Sequence, residues 1–164
     1  MNTGIIRKID ELGRIVLPKE LRKTLKIKPG DDFQITLDSE KIILEKYSIL
    51  ERYEDTINNI IVCFYNVTNY KIYVSINDKL INFNNEEISN IISNIINTRK
   101  IYINDKIDKN VINKNIIVEG RIVILPIVQN SDLLGSIIIV DKDNINNLIS
   151  TAKILNELIK KILV

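Results

Sequence analysis

The order of apolar patterns along this 164-residue chain predicts an α+β protein in two parts. Three observations carry that expectation. Short alternating runs bracket one helical pattern in the first 47 residues, in the order β-β-α-β-β. Beyond them, amphipathic helical stripes at both ends and in the middle enclose runs with strand alternation, close enough in sequence for an antiparallel sheet. Charge also divides the chain, with eight Lys/Arg against three Asp/Glu in residues 1–28, two against five in residues 29–47 and thirteen against thirteen in the rest.

In the first part, TGIIRKI (3–9) reads as a strand and DELG (10–13) as a turn in which Gly13 is free to take positive φ. RIVL (14–17) reads as a second strand. Pro18 falls at the first turn of a helix, where its missing N–H costs nothing. That helix is expected to reach about Lys26, with Leu21 and Leu25 facing inward and Lys19, Arg22, Lys23 and Lys26 outward. KPGD (28–31) places Pro and Gly at the centre of a type II turn. FQITL (33–37) and IILEKY (42–47), joined by DSEK, form a hairpin. A unit this small buries little apolar surface, and disulfides, metals or association are the usual remedies. With one cysteine, Cys63, and no metal-ligand cluster, association of two chains remains.

The joint to the second part, Tyr47–Leu50, carries no Gly/Pro/Ser linker. SILE (48–51) matches a capping box and opens a helix with a seam of Leu50, Tyr53, Ile57 and Ile60, expected to end near Asn59. IIVCFY (60–65) and YKIYVSI (70–76) then read as a hairpin. Residues 84–97 read as an amphipathic helix capped by Asn84 or Asn85. Glu86 and Glu87 would face its dipole, and Ile88, Ile91, Ile92, Ile95 and Ile96 form its stripe. Residues 101–118 suggest short strands and a loop, and 121–140 a long hairpin. A last helix from Asn144 carries Ile145, Leu148, Ala152, Leu155, Ile159 and Ile162, with Ile149, Ile154, Leu158 and Leu163 widening its face enough for a partner chain. The 37 Ile and 21 Asn are read as coding bias, because the Ile residues keep clean periods.

Enzyme chemistry finds little support. There is no histidine, which removes imidazole general bases and cripples most zinc sites. Glu86 and Glu87 would point about 100° apart on a helix. Cys63 lies in an apolar run with no nearby base, which suggests an inert core thiol. Neither GxxxxGK[ST] nor GxGxxG occurs, and no cofactor is expected. No secretory signal and no run near about 18 apolar residues is visible, so a cytoplasmic protein without a membrane span is expected.

The basic cluster is the remaining candidate. A lone charge run is ordinarily a solvated helix face. Here the cations sit on a short strand pair and the adjoining helix, where they can converge. Pairing of two chains would double them about an axis that matches a duplex. Arg7, Arg14 and Arg22 are forks able to bind phosphate or guanine edges bidentately.

The stretch TGIIRKIDELGRIVLPKELRKTLKIKPGDDFQI, continued by KIILEKYS, closely resembles the DNA-binding domain of AbrB/SpoVT-type transition-state regulators, over nearly all of residues 3–48. The resemblance implies that residues 1–47 form a swapped-hairpin homodimer and present Arg7, Arg14 and Arg22 to double-stranded DNA. A further family arginine falls at Lys23, which keeps the charge and loses the fork. Lys8 and Lys19 are implied phosphate contacts. Residues 48–164, notably LPIVQNSDLLGSIIIV and the closing helix, resemble the GAF-type domain of some family members, a sensory and oligomerisation module that pairs dimers into a homotetramer. The implied function is a sequence-preferring activator and repressor of late, forespore-stage sporulation genes, acting on promoter DNA, AT-rich in expectation. Two other classes stay open: an antitoxin-like interaction module, and a regulator whose GAF-like part binds a metabolite the sequence does not name.

Overall fold

A computed structural model of the chain describes residues 4–25, 27 and 29–163. The chain forms two compact units, Met1–Tyr47 and Ser48–Val164. In the first, helix α1 spans Lys19–Thr24, and strands β1 (Phe33–Asp38) and β2 (Lys41–Lys46) pair antiparallel from Phe33↔Lys46 to Asp38↔Lys41. Gly30 has the positive φ, 92°, that a type II turn needs at its third residue. Lys26 and Lys28 lie outside the described residues.

The strands expected over 3–9 and 14–17 are not formed as a ladder among the described residues, 4–9 and 14–17; Thr3 lies outside them. A strand exists only through its partner's N–H and C=O groups. Between these segments the described backbone makes just the bonds Asp10 N–H to Arg14 O (3.0 Å) and Gly13 N–H to Asp10 O (2.9 Å). Leu21 and Leu25 do not face inward either, being 39% and 60% exposed. Among the described residues of this unit Pro18 alone is buried. Among the described residues of this unit, no second apolar layer meets these side chains.

The second unit is built on a six-stranded antiparallel sheet in the order β5-β4-β3-β8-β7-β6. Its strands are β3 (Lys71–Ile76), β4 (Lys79–Leu80), β5 (Glu86–Glu87), β6 (Tyr102–Val111), β7 (Ile117–Gln129) and β8 (Asp132–Asp141). Alternation assigns the faces. Ile72, Val74, Val123, Ile127, Ile137 and Ile139 meet helices α2 (Ile49–Arg52), α3 (Glu54–Thr68) and α5 (Ile145–Ile162) through Leu50, Ile57, Ile61, Leu148, Leu155 and Ile159. On the other face Tyr73, Ile122, Ile124, Ile138 and Val140 meet Ile92 and Ile96 of α4 (Asn90–Asn97). Fully burying one such side chain stabilises the fold by about 1.5–3 kcal/mol.

Gly135 lets the two central strands close up, because a Cβ there would lie 2.0 Å from the Ser75 carbonyl oxygen. Two-residue turns at Asn77–Asp78 and Asn130–Ser131 put both residues at positive φ, the geometry whose twist suits a hairpin. Asn69, Asn84 and Asn85 are left-handed as well. Part of the asparagine excess thus has a conformational use, since Asn tolerates that region better than other side chains.

Several expectations for this unit are corrected. The first helix does not stop near Asn59: it breaks at Tyr53, resumes, and runs to Thr68, where left-handed Asn69 ends it. IIVCFY is therefore helical, because Ile57, Ile61 and Phe64 keep a 3–4 period onto the sheet and that packing overrides β propensity. Cys63 is consequently exposed rather than in the core. Ser48 occupies the N-cap of α2 without a side-chain cap bond. Residues 84–89 do not belong to α4. Glu86 and Glu87 form edge strand β5 against Leu80 and Lys79, and the Glu86 carboxylate accepts from the Asn113 amide at 2.8 Å. The cap of α4 is Ser89, whose Oγ accepts from Ile92 N–H. The Asn/Asp/Lys-rich stretch expected to be short strands is a ten-residue strand, β6, with an irregularity between Asn104 and Asp108.

Candidate nucleic-acid interface

Five residues, Asp10 to Arg14, build the loop that carries the first group of basic candidates. Oδ1 of Asp10 accepts the N–H groups of Leu12 (3.0 Å) and Arg14 (2.8 Å), and Gly13 (φ 75°) closes the turn. Oδ2 of the same carboxylate accepts Nε of Arg14 at 2.8 Å. These bonds, the Arg14 backbone N–H foremost and its guanidinium next, hold the Asp10 carboxyl below its ordinary pKa. Arg7 and Lys8 precede the loop. Arg7 is exposed and its Nη1 donates to the Ile6 carbonyl at 3.3 Å.

The second group lies on α1. Pro18, extended at the N-cap, accepts the Arg22 N–H through its carbonyl, and Glu20 lies in the first turn. Lys19, Arg22 and Lys23 are spaced three and four apart, so they share one side of the helix. All six candidate residues, Arg7, Lys8, Arg14, Lys19, Arg22 and Lys23, are exposed. Among the described residues Lys8, Lys19, Arg22 and Lys23 make no ion pair, whereas Arg14 is held by Asp10. The sequence places Asp10 in the DELG turn and among the acids, without a tie to Arg14. An Asp that opens a turn containing Gly13 is the signal for a carboxylate that binds the amides following it.

The second unit holds a cavity of about 470 Å³ beside α3, lined by Asn58, Ile61, Tyr65, Ile72, Asn82 and Phe83. Among the described residues, the buried Oδ1 of Asn58 finds no hydrogen-bond partner. Among the described residues no group of three His, Cys, Asp or Glu is placed to hold a metal ion. No described helix is long and apolar enough to cross a membrane.

Two family models match the chain. The model of antidote-toxin recognition MazE, a bacterial antitoxin, covers residues 6–50. The model of the stage V sporulation protein T C-terminal transcription factor covers residues 40–163. Stage V sporulation protein T of Bacillus subtilis (strain 168) is 32% identical over 152 residues, 86% of this chain and 85% of the relative. The chain belongs to the stage V sporulation protein T family. Transition state regulatory protein AbrB of the same organism is 61% identical over 46 residues, 28% of this chain and 48% of the relative. The solved N-terminal DNA recognition domain of B. subtilis AbrB is 60% identical, covers 29% of this chain and 89% of that one, and superposes with a TM-score of 0.26. The first unit is therefore AbrB-like in sequence, and the chain as a whole is α+β.

Proposed function

We propose that the chain is a sequence-preferring DNA-binding transcription regulator, with residues 1–47 as a swapped-hairpin dimeric reader and residues 48–164 as a GAF-like sensory and assembly unit. The observation that carries the reading is the pairing of two properties in one small unit. Apart from Pro18, its described apolar side chains are exposed or half-buried, with Ile6 90% and Leu37 80% exposed, and its cations stand in solvent beside them. A second copy covering the apolar side chains would double the cations about a two-fold axis. Arg7, Arg14 and Arg22 would then supply forks to phosphates and major-groove edges, and Lys8, Lys19 and Lys23 point charges. The relatives' descriptions as transcription factor and transition state regulator support this reading and give no support to an enzyme.

In the second unit, Ile154 and Leu158 on α5 and Val62 and Tyr65 on α3 remain exposed, which suits pairing of dimers into a tetramer. Action as both activator and repressor of sporulation genes belongs to the same proposal. The test is fluorescence anisotropy of a labelled duplex titrated with the full chain and with Arg22→Ala, beside sedimentation of both. The expected result is a dimer or tetramer that binds, with Arg22→Ala about tenfold weaker and unchanged in assembly. A monomeric wild-type chain, or one indifferent to duplexes in dilute buffer, overturns the reading.

Two specific observations favour second readings. The antitoxin model over residues 6–50 favours a toxin partner, which would co-purify in stoichiometric amount. The Asn58-lined cavity favours a small ligand with a hydrogen-bond donor, which a thermal-shift screen would find.

A further inference from the structure

We infer that Asp10 is a positioning residue for Arg14: its carboxylate grips the guanidinium along the Nε edge and leaves both Nη groups aimed at a phosphate or a guanine edge. The inference rests on the DNA-binding reading above and adds a role that reading does not contain. Its basis is the asymmetry of the pair. Only Nε meets the carboxylate, at 2.8 Å, and among the described residues neither Nη of Arg14 makes a hydrogen bond. The Arg14 side chain is nevertheless 70% exposed.

An exposed ion pair between two free side chains contributes little, because both must be ordered to form it. Here one partner is ordered beforehand. Oδ1 is fixed by the amides of Leu12 and Arg14, and the Asp10 backbone is tied to Arg14 O at 3.0 Å and Gly13 N at 2.9 Å. The carboxylate is therefore a rigid anchor, and the cost of orienting Arg14 falls before any duplex arrives. Its depressed pKa keeps it ionised through the neutral range.

Simple charge counting makes the opposite prediction. A carboxylate near DNA repels phosphates, so removing it should strengthen binding. Asp10→Asn separates the two accounts. Its Oδ1 can still accept both loop amides, whereas its Nδ2 cannot accept from Nε. The measurements are duplex affinity of the full chain at about 0.1 M salt, in wild-type and Arg14→Ala backgrounds, with the Arg14 Nε–Hε resonance followed by NMR in the free protein.

Positioning predicts that Asp10→Asn weakens binding by about three- to tenfold with an unchanged melting temperature, and that the effect disappears when Arg14 is already alanine. It also predicts that Asp10→Asn moves the Nε–Hε resonance toward that of a free arginine. Unchanged or tighter binding overturns the inference, as does an equal loss in the Arg14→Ala background. Should the wild-type chain bind no duplex, the DNA reading fails by itself. In that event an unmoved resonance rules out the grip as well, and a moved one retains the grip as a feature of the loop alone.

Discussion

Tyr70 shows how one side chain ties the second unit together. Its hydroxyl donates to the Asp143 carboxylate, which also accepts from Asn147 at 3.0 Å, so the start of β3 is fastened to the entry of α5. Burial first, and the Asp143 bond second, push the Tyr70 phenol up to about 12. The folded state thus holds this proton more tightly than the unfolded chain, whose tyrosine titrates near 10. Stability from the group is complete below about pH 10 and lost as pH rises toward about 12. Asp143 is shifted the other way, chiefly by the Tyr70 bond, so its contribution is present above the ordinary carboxylate range and lost on acidification. Tyr70→Phe should lower stability by about 1.5–3 kcal/mol at neutral pH. It should also flatten the fall in melting temperature between pH 9 and about 12, measured by circular dichroism against wild type; an unaltered alkaline slope would show that the phenol carries none of it. The turn at 10–13 was legible in sequence, but the Tyr70–Asp143 tie and the Asp10–Arg14 side-chain contact were not, because both depend on which hydrogen bonds a fold makes available.

At the scale of elements, legibility followed the strength of the period. The final helix is as expected, capped by Asn144 and burying Leu148, Ala152, Leu155 and Ile159, because its stripe runs unbroken for eighteen residues. The hairpin of 121–140 is equally direct, with turn residues that accept positive φ between two alternating runs. Failure came where two periods compete. IIVCFY is a run of β-branched and aromatic residues that suits a buried strand by composition, yet continues the seam of the helix before it. Asn84–Glu87 carries every mark of a helix start and is a left-handed turn leading into an edge strand. The helical assignment makes a sharp contrast along α3: Ile57, wholly buried, should cost about 2–5 kcal/mol when changed to alanine, and Val67, 86% exposed, no more than about 0.5. Urea titrations of Ile57→Ala and Val67→Ala measure both, and comparable losses would contradict the helix.

The whole molecule divides its labour between a second unit that encloses its own core and a first unit that does not. The second buries Val74, Ile137, Ile138 and Ile139 completely in the central strands of its sheet, whereas the described apolar residues of the first, Pro18 apart, are exposed or half-buried. That division was legible from length and charge: 47 residues with no cross-link are too few for comfort, and the positive charge gathers in the same stretch. The exposure of the six basic candidates was equally legible, since long cationic side chains ordinarily stand in solvent. The ladder strands and the inward leucines were not legible in the same way, because each needs an apolar layer that the described residues of this unit do not form among themselves.

The central claim is that these cations grip a polyanion, and salt tests it most directly. Affinity of the full chain for one duplex, measured across a range of salt concentrations, should fall so that log K against log salt has a slope of about −5, as release of counterions from roughly six phosphates requires. A slope near zero would mean that no such contacts form, and would contradict the account.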